Sequence, residues 1–234
     1  FAATQALPSD PARAILGRLG TDIDLSAAAF PHRHVRTGTL AGMPVRLYRV
    51  SFSGELGYEI NVPARQGAAL WRALEQAGSD AGVTPYGTEA LLLLRLEKGF
   101  LHVGIDTDGT TSPADVGWGE VALKKQADYV GKRSLTRPEN LRTDRLQLVG
   151  LTGEDDLLIP GAHLRFDGTH EGSDGWVTSA AFSPTLGKRV ALALLRGGRA
   201  RIGESVTLLD FGRRGRAQVE PTPFYDPKGE RLHG

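Results

Sequence analysis

The ten residues Ser51-Phe52-Ser53-Gly54-Glu55-Leu56-Gly57-Tyr58-Glu59-Ile60 carry the most chemical information in this sequence. Gly54 and Gly57 permit a tight loop immediately before a strand. Alternation in that strand then sets Glu59 on the face opposite to Tyr58 and Ile60. A carboxylate there is costly to bury unless it is paired. One suitable partner is a planar edge with two parallel N–H donors, which Arg offers and the aminopyrimidine edge of a pterin offers equally. The plainer partners are solvent or the guanidinium of Arg36, Arg46 or Arg49. Glu55, in the middle of the turn, is expected to be solvated.

Working outward, the runs HVRTGTL (34–40) and MPVRLYRVSF (43–52) read as strands joined by a hairpin at Ala41–Gly42, with a third strand over 58–62. Upstream, Asp10 and Pro11 are placed to cap and start a helix that Gly20 stops. Downstream, Pro63 opens an amphipathic helix with Ala69, Trp71, Leu74 and Ala77 spaced for burial. A second helix over 88–98 is apolar at Ala90–Leu94, which predicts burial on several sides. The stretch GIDTDGTTSPADVGWG (104–119) breaks all periodicity and is expected to be packed or functional, with Val116 and Trp118 as anchors and Asp106 and Asp108 as backbone caps. A polar linker over 134–144 follows. Beyond it, short strand candidates at 146–152, 163–166, 175–181, 189–195 and 205–209 suggest a small antiparallel barrel or sandwich.

Composition bounds the function. The 234 residues carry 28 Lys+Arg against 27 Asp+Glu, a net charge of +1 that gives no electrostatic reason to expect nucleic acid or an anionic membrane as partner. No apolar run approaches the roughly 18–20 residues of a membrane helix. Zero cysteines exclude disulfides, thiolate metal sites and a Cys nucleophile, and are compatible with a cytoplasmic protein. The 30 glycines and 13 prolines point to many turns and substantial β structure. A first residue of Phe1 and a lone Met43 suggest a piece of a larger polypeptide.

Other chemical signals are weaker. No P-loop, G-x-G-x-x-G or G-x-S-x-G pattern occurs. His32 and His34 would share a strand face, which suits a metal only if a third ligand arrives, and the plainer reading is a solvated face. The basic stretch 188–216 could meet an acidic partner but reads more plainly as the solvated face of strands and turns.

Four ordered motifs then resemble the aminomethyltransferase (glycine cleavage T-protein) superfamily: RVSFSGELGYEINVP (49–63), RLEKGFLHVGIDTDGTTSPADVGWG (95–119), ADYVGKRSL (127–135) and GWVTSAAFSPTLGKRVALA (175–193). Within it, PYGTEALLLLRLEKGF (85–100), DTDGTTSPADVGWG (106–119) and FYDPKGERLHG (224–234) are most similar to the alpha-subunit family of heterotetrameric sarcosine oxidases. The resemblance implies an α+β fold: a T-protein-like folate-binding α+β domain over 1–140, incomplete at its N-terminus, followed by a small antiparallel β-barrel domain over 141–234. It implies tetrahydrofolate as cofactor, with Glu59 in the role of the glutamate that pairs with the pterin. Phe52 falls where the family has a Tyr lining the folate pocket, and Phe52 or Tyr58 is expected to contribute a wall of that pocket.

Two departures accompany the match. The family's A-R-D run ahead of R-L-E is replaced by Ala90-Leu91-Leu92-Leu93-Leu94, and the family's catalytic Asp belongs to a part of the fold that precedes this sequence, so no catalytic residue is assigned. The implied function is that of the folate-binding portion of a sarcosine oxidase alpha-like subunit. A flavin would oxidise a small N-methyl amine, and the one-carbon unit would pass to tetrahydrofolate. Flavin and NAD would sit on other domains or subunits, the piece alone would be inactive, and other subunits of the oxidase would be its partners. The alternatives are a glycine cleavage-type aminomethyltransferase or a non-catalytic folate-binding module.

Overall fold

The computed structural model describes residues 11–166 and 172–233. The Asp10 cap lies outside them. Helix α1 (Pro11–Arg18) starts at the expected proline and turns Ala12, Ile15 and Leu16 inward. Gly20 follows at φ 74°, the left-handed conformation that ends helices without a Cβ clash. Contacts gather the chain into two compact units, residues 11–95 with 228–233, and Leu96–Pro227.

The first unit is built on a three-stranded antiparallel sheet, β1 (Val35–Leu40), β2 (Met43–Tyr48) and β3 (Glu59–Asn61), in that order. Ala41 and Gly42 connect β1 to β2 at φ 51° and 72°, a two-residue turn whose hand matches the twist of the strands. Met43, Val45 and Leu47 alternate inward and join Ile15, Phe30 and Leu40 in one core. Helix α2 (Gly67–Gly78) closes that core with Leu70 and Leu74. Leu74 and the partly buried Ala77 face the core as expected, and Leu70 joins them. Leu70 and Leu74 stack one turn apart, while Ala69 and Trp71 are exposed.

Helix α3 (Thr88–Glu97) corrects a second expectation. Its Ala90–Leu94 run is only half-buried, whereas Glu97 and the following Lys98 are buried. Each of these charges is met, which is the condition for burying it. Glu97 accepts from Ser183 Oγ at 2.5 Å and Thr185 Oγ1 at 3.3 Å, and Lys98 Nζ donates to the Asp226 carboxylate at 2.9 Å.

The second unit is a closed antiparallel barrel of six strands: β4 (Leu146–Gly153), β5 (His163–Arg165), β6 (Gly175–Ser183), β7 (Lys188–Arg196), β8 (Ser205–Asp210) and β9 (Arg213–Glu220). The order around it is β4-β7-β6-β5-β8-β9, and Gly150–Thr152 of β4 pair with Gln218–Glu220 of β9 to close it. Leu151, Leu164, Val177 and Val219 fill the interior. Strands β4 and β7 are also buried on their outer face, where Leu148, Val190, Leu192 and Leu194 cluster with Leu96, Leu101, Val116 and Phe224. Gly150 makes this possible. A Cβ there would fall 2.6 Å from the Phe224 ring.

Strand β9 was not anticipated. Its Arg213, Arg214 and Arg216 face solvent and mask the inward Gly215, Ala217 and Val219. The 104–119 stretch is held by Asp106, which accepts from His102 N–H (2.8 Å), Thr178 Oγ1 (2.5 Å) and Ser179 Oγ (2.7 Å). Asp108 caps the Thr110 N–H at 2.8 Å, and Val116 packs as expected. Trp118 instead stays exposed at the start of the short helix α4 (Gly119–Leu123). Residues 132–136 and 138–141 form two exposed 3-10 turns, and a final short helix α5 (Glu230–His233) belongs to the first unit. Among the described residues no helix is long and apolar enough to cross a membrane.

Candidate functional site

The Ser51–Ile60 segment folds as its glycines require. Gly54 takes φ 86° and donates its N–H to Ser51 Oγ at 3.0 Å, while Glu55 N–H reaches Ser53 Oγ at 3.4 Å. Leu56 and Tyr58 then turn into the core. The guanidinium of Arg49, itself buried, donates to the Gly57 carbonyl at 3.3 Å and stands 5.5 Å over the Tyr58 ring. Tyr58 is 2% exposed, lies 5.8 Å from the Phe30 ring and accepts from Arg13 Nε at 3.4 Å.

Alternation carries Glu59 to the other face, as expected. It is exposed, sits opposite Tyr48 in the sheet and accepts from Asn61 Nδ2 at 3.1 Å. None of the three candidate arginines pairs with it. Arg36 donates to the Ala29 carbonyl at 2.6 Å and lies over Phe30, and Arg49 is committed to the turn. The Glu59 carboxylate thus keeps lone pairs available for an incoming donor.

Glu59, Phe52 and Tyr58 all line one cleft of about 440 Å³ within the first unit, together with Trp71, Tyr86 and Leu91. Phe52 is 36% exposed and Trp71 48%. Burial pushes the Tyr86 phenol up from its ordinary value, so it stays protonated and can donate as well as accept. Aromatic faces beside one carboxylate suit a flat heteroaromatic ring that presents N–H donors at its edge. The residues present therefore fit a pterin.

The sequence reading assigned Trp71 to the core and left Tyr86 unmarked. The signal for Trp71 was its place one residue off the Leu70–Leu74 stripe, where a large aromatic has no core to enter. Tyr86 sits in the Pro85-Tyr86-Gly87 bend and carried no periodic signal. The expectation for Glu55 is also corrected. Its side chain is 15% exposed, and both its oxygens lie 2.9 Å from Arg231 Nε. A partner 176 residues away cannot be read from a turn.

Other candidate groups do not assemble into a site. His32 packs edge-on against His233 at 5.8 Å, and His34 Nδ1 faces the His32 carbonyl at 3.3 Å. Desolvation, with Arg49, His233 and Arg33 nearby, lowers the His32 pKa. Among the described residues no group of three or more His, Cys, Asp and Glu could hold a metal. In the basic stretch, Arg189 pairs with Asp156, Arg201 lies over Phe166, and Arg199 donates to the Ala114 and Asp115 carbonyls.

The second unit has a different cavity, of about 210 Å³, lined by Asp108, Asp115, Glu139, Arg142, Arg145 and Arg196 among others. Its charges are spent on one another. Arg145 binds Asp115 at 2.8 and 2.7 Å, and Arg142 spans Glu139 and Asp144. Burial acts to raise the Asp115 pKa, but the bonds from Arg145 and Ser112 outweigh it and hold the carboxyl below its ordinary range.

Comparison with known proteins bears on both units. Residues 8–126 match the GCVT N-terminal domain, and residues 147–226 match the glycine cleavage T-protein C-terminal barrel domain. The chain is 42% identical over 240 residues to the sarcosine oxidase subunit alpha of Corynebacterium sp. (strain P-1), covering 99% of this chain and 25% of that protein. It is 36% identical over 192 residues to the aminomethyltransferase of Halothermothrix orenii, covering 80% of this chain and 52% of that protein. The crystal structure of the glycine cleavage system aminomethyltransferase T from Bartonella henselae aligns with a TM-score of 0.68 at 26% identity, over 78% of this chain and 50% of that one. The chain thus spans about a quarter of the length of the sarcosine oxidase subunit and about half that of the aminomethyltransferases.

Proposed function

The chain belongs to the glycine cleavage T-protein family, and from that premise we propose that the cleft of the first unit holds the pterin of tetrahydrofolate. The observation that carries the reading is convergence. Phe52, Tyr58 and Glu59, marked by sequence for the site, line one cleft with Trp71 and Tyr86, which sequence did not assign to it. Glu59 would accept from the N–H donors at the pterin edge and so orient it. Phe52 and Trp71 would lie against the ring and shield it from water, and Tyr58, locked by Arg13, Arg49 and Phe30, keeps the floor rigid. Tetrahydrofolate, when bound, supplies the amine nitrogens that take up a one-carbon unit.

At the level of the whole protein, the reading is a folate-binding portion of a sarcosine oxidase alpha-like subunit. It passes the one-carbon unit of an oxidised N-methyl amine to tetrahydrofolate, with flavin and NAD carried on other domains or subunits. The support is the 42% identity to the sarcosine oxidase subunit over 99% of the chain, against 34–36% to the aminomethyltransferases. Holding the acceptor beside its one-carbon donor raises the effective concentration of the pair. We place the domain boundary near residue 140, between the two family matches.

The test is calorimetric titration of tetrahydrofolate into the intact wild-type protein and Glu59→Gln. The variant keeps the size of the side chain but loses its charge and one acceptor, at about 1.5–3 kcal/mol for a charge-assisted hydrogen bond. That is a loss of about 10–150-fold in affinity. Unchanged affinity in Glu59→Gln removes the assignment.

A further inference from the structure

The turn that carries the cleft's residues is anchored by a segment far away in the chain. Helix α5 meets it at two points. Arg231 Nε lies 2.9 Å from both oxygens of Glu55, whose side chain is 15% exposed. Arg49 donates one guanidinium nitrogen to the Gly57 carbonyl (3.3 Å) and another to the Leu232 carbonyl (2.7 Å), and so bridges the turn and the helix. Both contacts lie within the first unit. Between them the turn's internal bonds are short-range, Ser51 to Gly54 and Ser53 to Glu55, and Phe52 stands partly exposed. Leu56 and Tyr58 anchor the far end of the turn in the core, but the local bonds of its 51–55 half fix the shape of that half and not where it stands.

We infer that Arg231 is a positioning residue for the cleft: its ion pair with Glu55 holds the 51–58 turn in register, so that Phe52 and Glu59 face the same ligand. Arg231 is outside the cleft lining and does not touch the proposed ligand. It acts through Glu55. Only the ligand part of this inference rests on the folate reading, because the ordering of the turn is measurable without any ligand.

The experiment compares the intact wild type with Arg231→Ala and with the charge-swapped pair Arg231→Glu/Glu55→Arg. Hydrogen exchange of the 51–58 amides in Arg231→Ala is expected to rise about tenfold while the β1–β2 amides stay protected. The swapped pair restores protection. Tetrahydrofolate affinity falls about three- to tenfold in Arg231→Ala and recovers in the swap. Unchanged exchange over 51–58, or a rise spread evenly through β1 and β2, overturns the inference, since an even rise marks a general loss of stability. If wild type binds no tetrahydrofolate, the folate reading falls and the exchange result alone decides the role of Arg231.

Discussion

The three-stranded sheet and the six-stranded barrel solve the same problem in opposite ways. The barrel pairs every strand on both sides and leaves no edge. Its β4 and β7 read as near-continuous apolar runs because both of their faces are covered. The open sheet ends at β3, three residues long, and its last strand leaves Glu59 in solvent beside exposed aromatics. Closure concentrates stability, and incompleteness leaves side chains available for recognition. The two cavities differ in the same sense. The ionic one in the barrel unit is lined by charges already paired with each other, whereas the cleft keeps its carboxylate available.

The largest expected effect tests the barrel side. Leu151→Ala removes a fully buried side chain from the closed core and is expected to destabilise the second unit by about 2–5 kcal/mol. Urea denaturation measures it. A loss below about 1 kcal/mol would mean that the barrel interior is no more tightly packed than the open sheet.

Arg145→Ala comes next. It strands Asp115, 5% exposed, and is expected to cost about 2–3 kcal/mol at neutral pH. The folded Asp115 titrates below its ordinary range, so its stabilising contribution is complete above that range and disappears as pH falls through the folded value. The gap between wild type and variant should therefore close below about pH 4. Melting temperatures of both proteins across pH 2–7 (about the range of carboxyl titration) check this. A gap that persists at the acid end would show that Arg145 stabilises through packing instead.

The smallest effect on stability tests the cleft side. Trp71→Ala should change unfolding free energy by no more than about 0.5 kcal/mol, because the side chain is half exposed. The same change should weaken tetrahydrofolate binding about three- to tenfold by removing an aromatic wall. Loss of stability without loss of affinity would make Trp71 a core residue after all.

Much of this division was legible in the residues, for identifiable reasons. Period-two alternation placed Tyr58 inward and Glu59 outward, and Ala41–Gly42 marked the hairpin correctly. Helical periodicity located α2 and set Leu74 and Ala77 inward correctly, but it took Ala69 and Trp71 into the apolar stripe in place of Leu70. Strand β9 was hidden because its outward positions are arginines, and its inward ones, Gly215 and Ala217, are too small to register as a hydrophobic run. Hydropathy also misled at α3. It cannot know that Ser183 and Asp226 will arrive to meet Glu97 and Lys98, so it assigns burial to the leucines before them. Within the cleft, the residues contributed by one continuous segment were visible, whereas Trp71, Tyr86 and Leu91 come together only once the chain has folded.

The return of α5 to the first unit also imposes an order in time. Synthesis runs from the N-terminus to the C-terminus, so the Ser51–Tyr58 turn leaves the ribosome long before Arg231 exists. Domains fold as units while translation proceeds. The sheet and its helices can therefore collapse early, yet Glu55 has no cation until every strand of the barrel has been made. The recognition surface is completed only after the barrel, by residues that follow it in the chain, and a nascent chain interrupted within the barrel carries the cleft's residues without the contact that sets them in place.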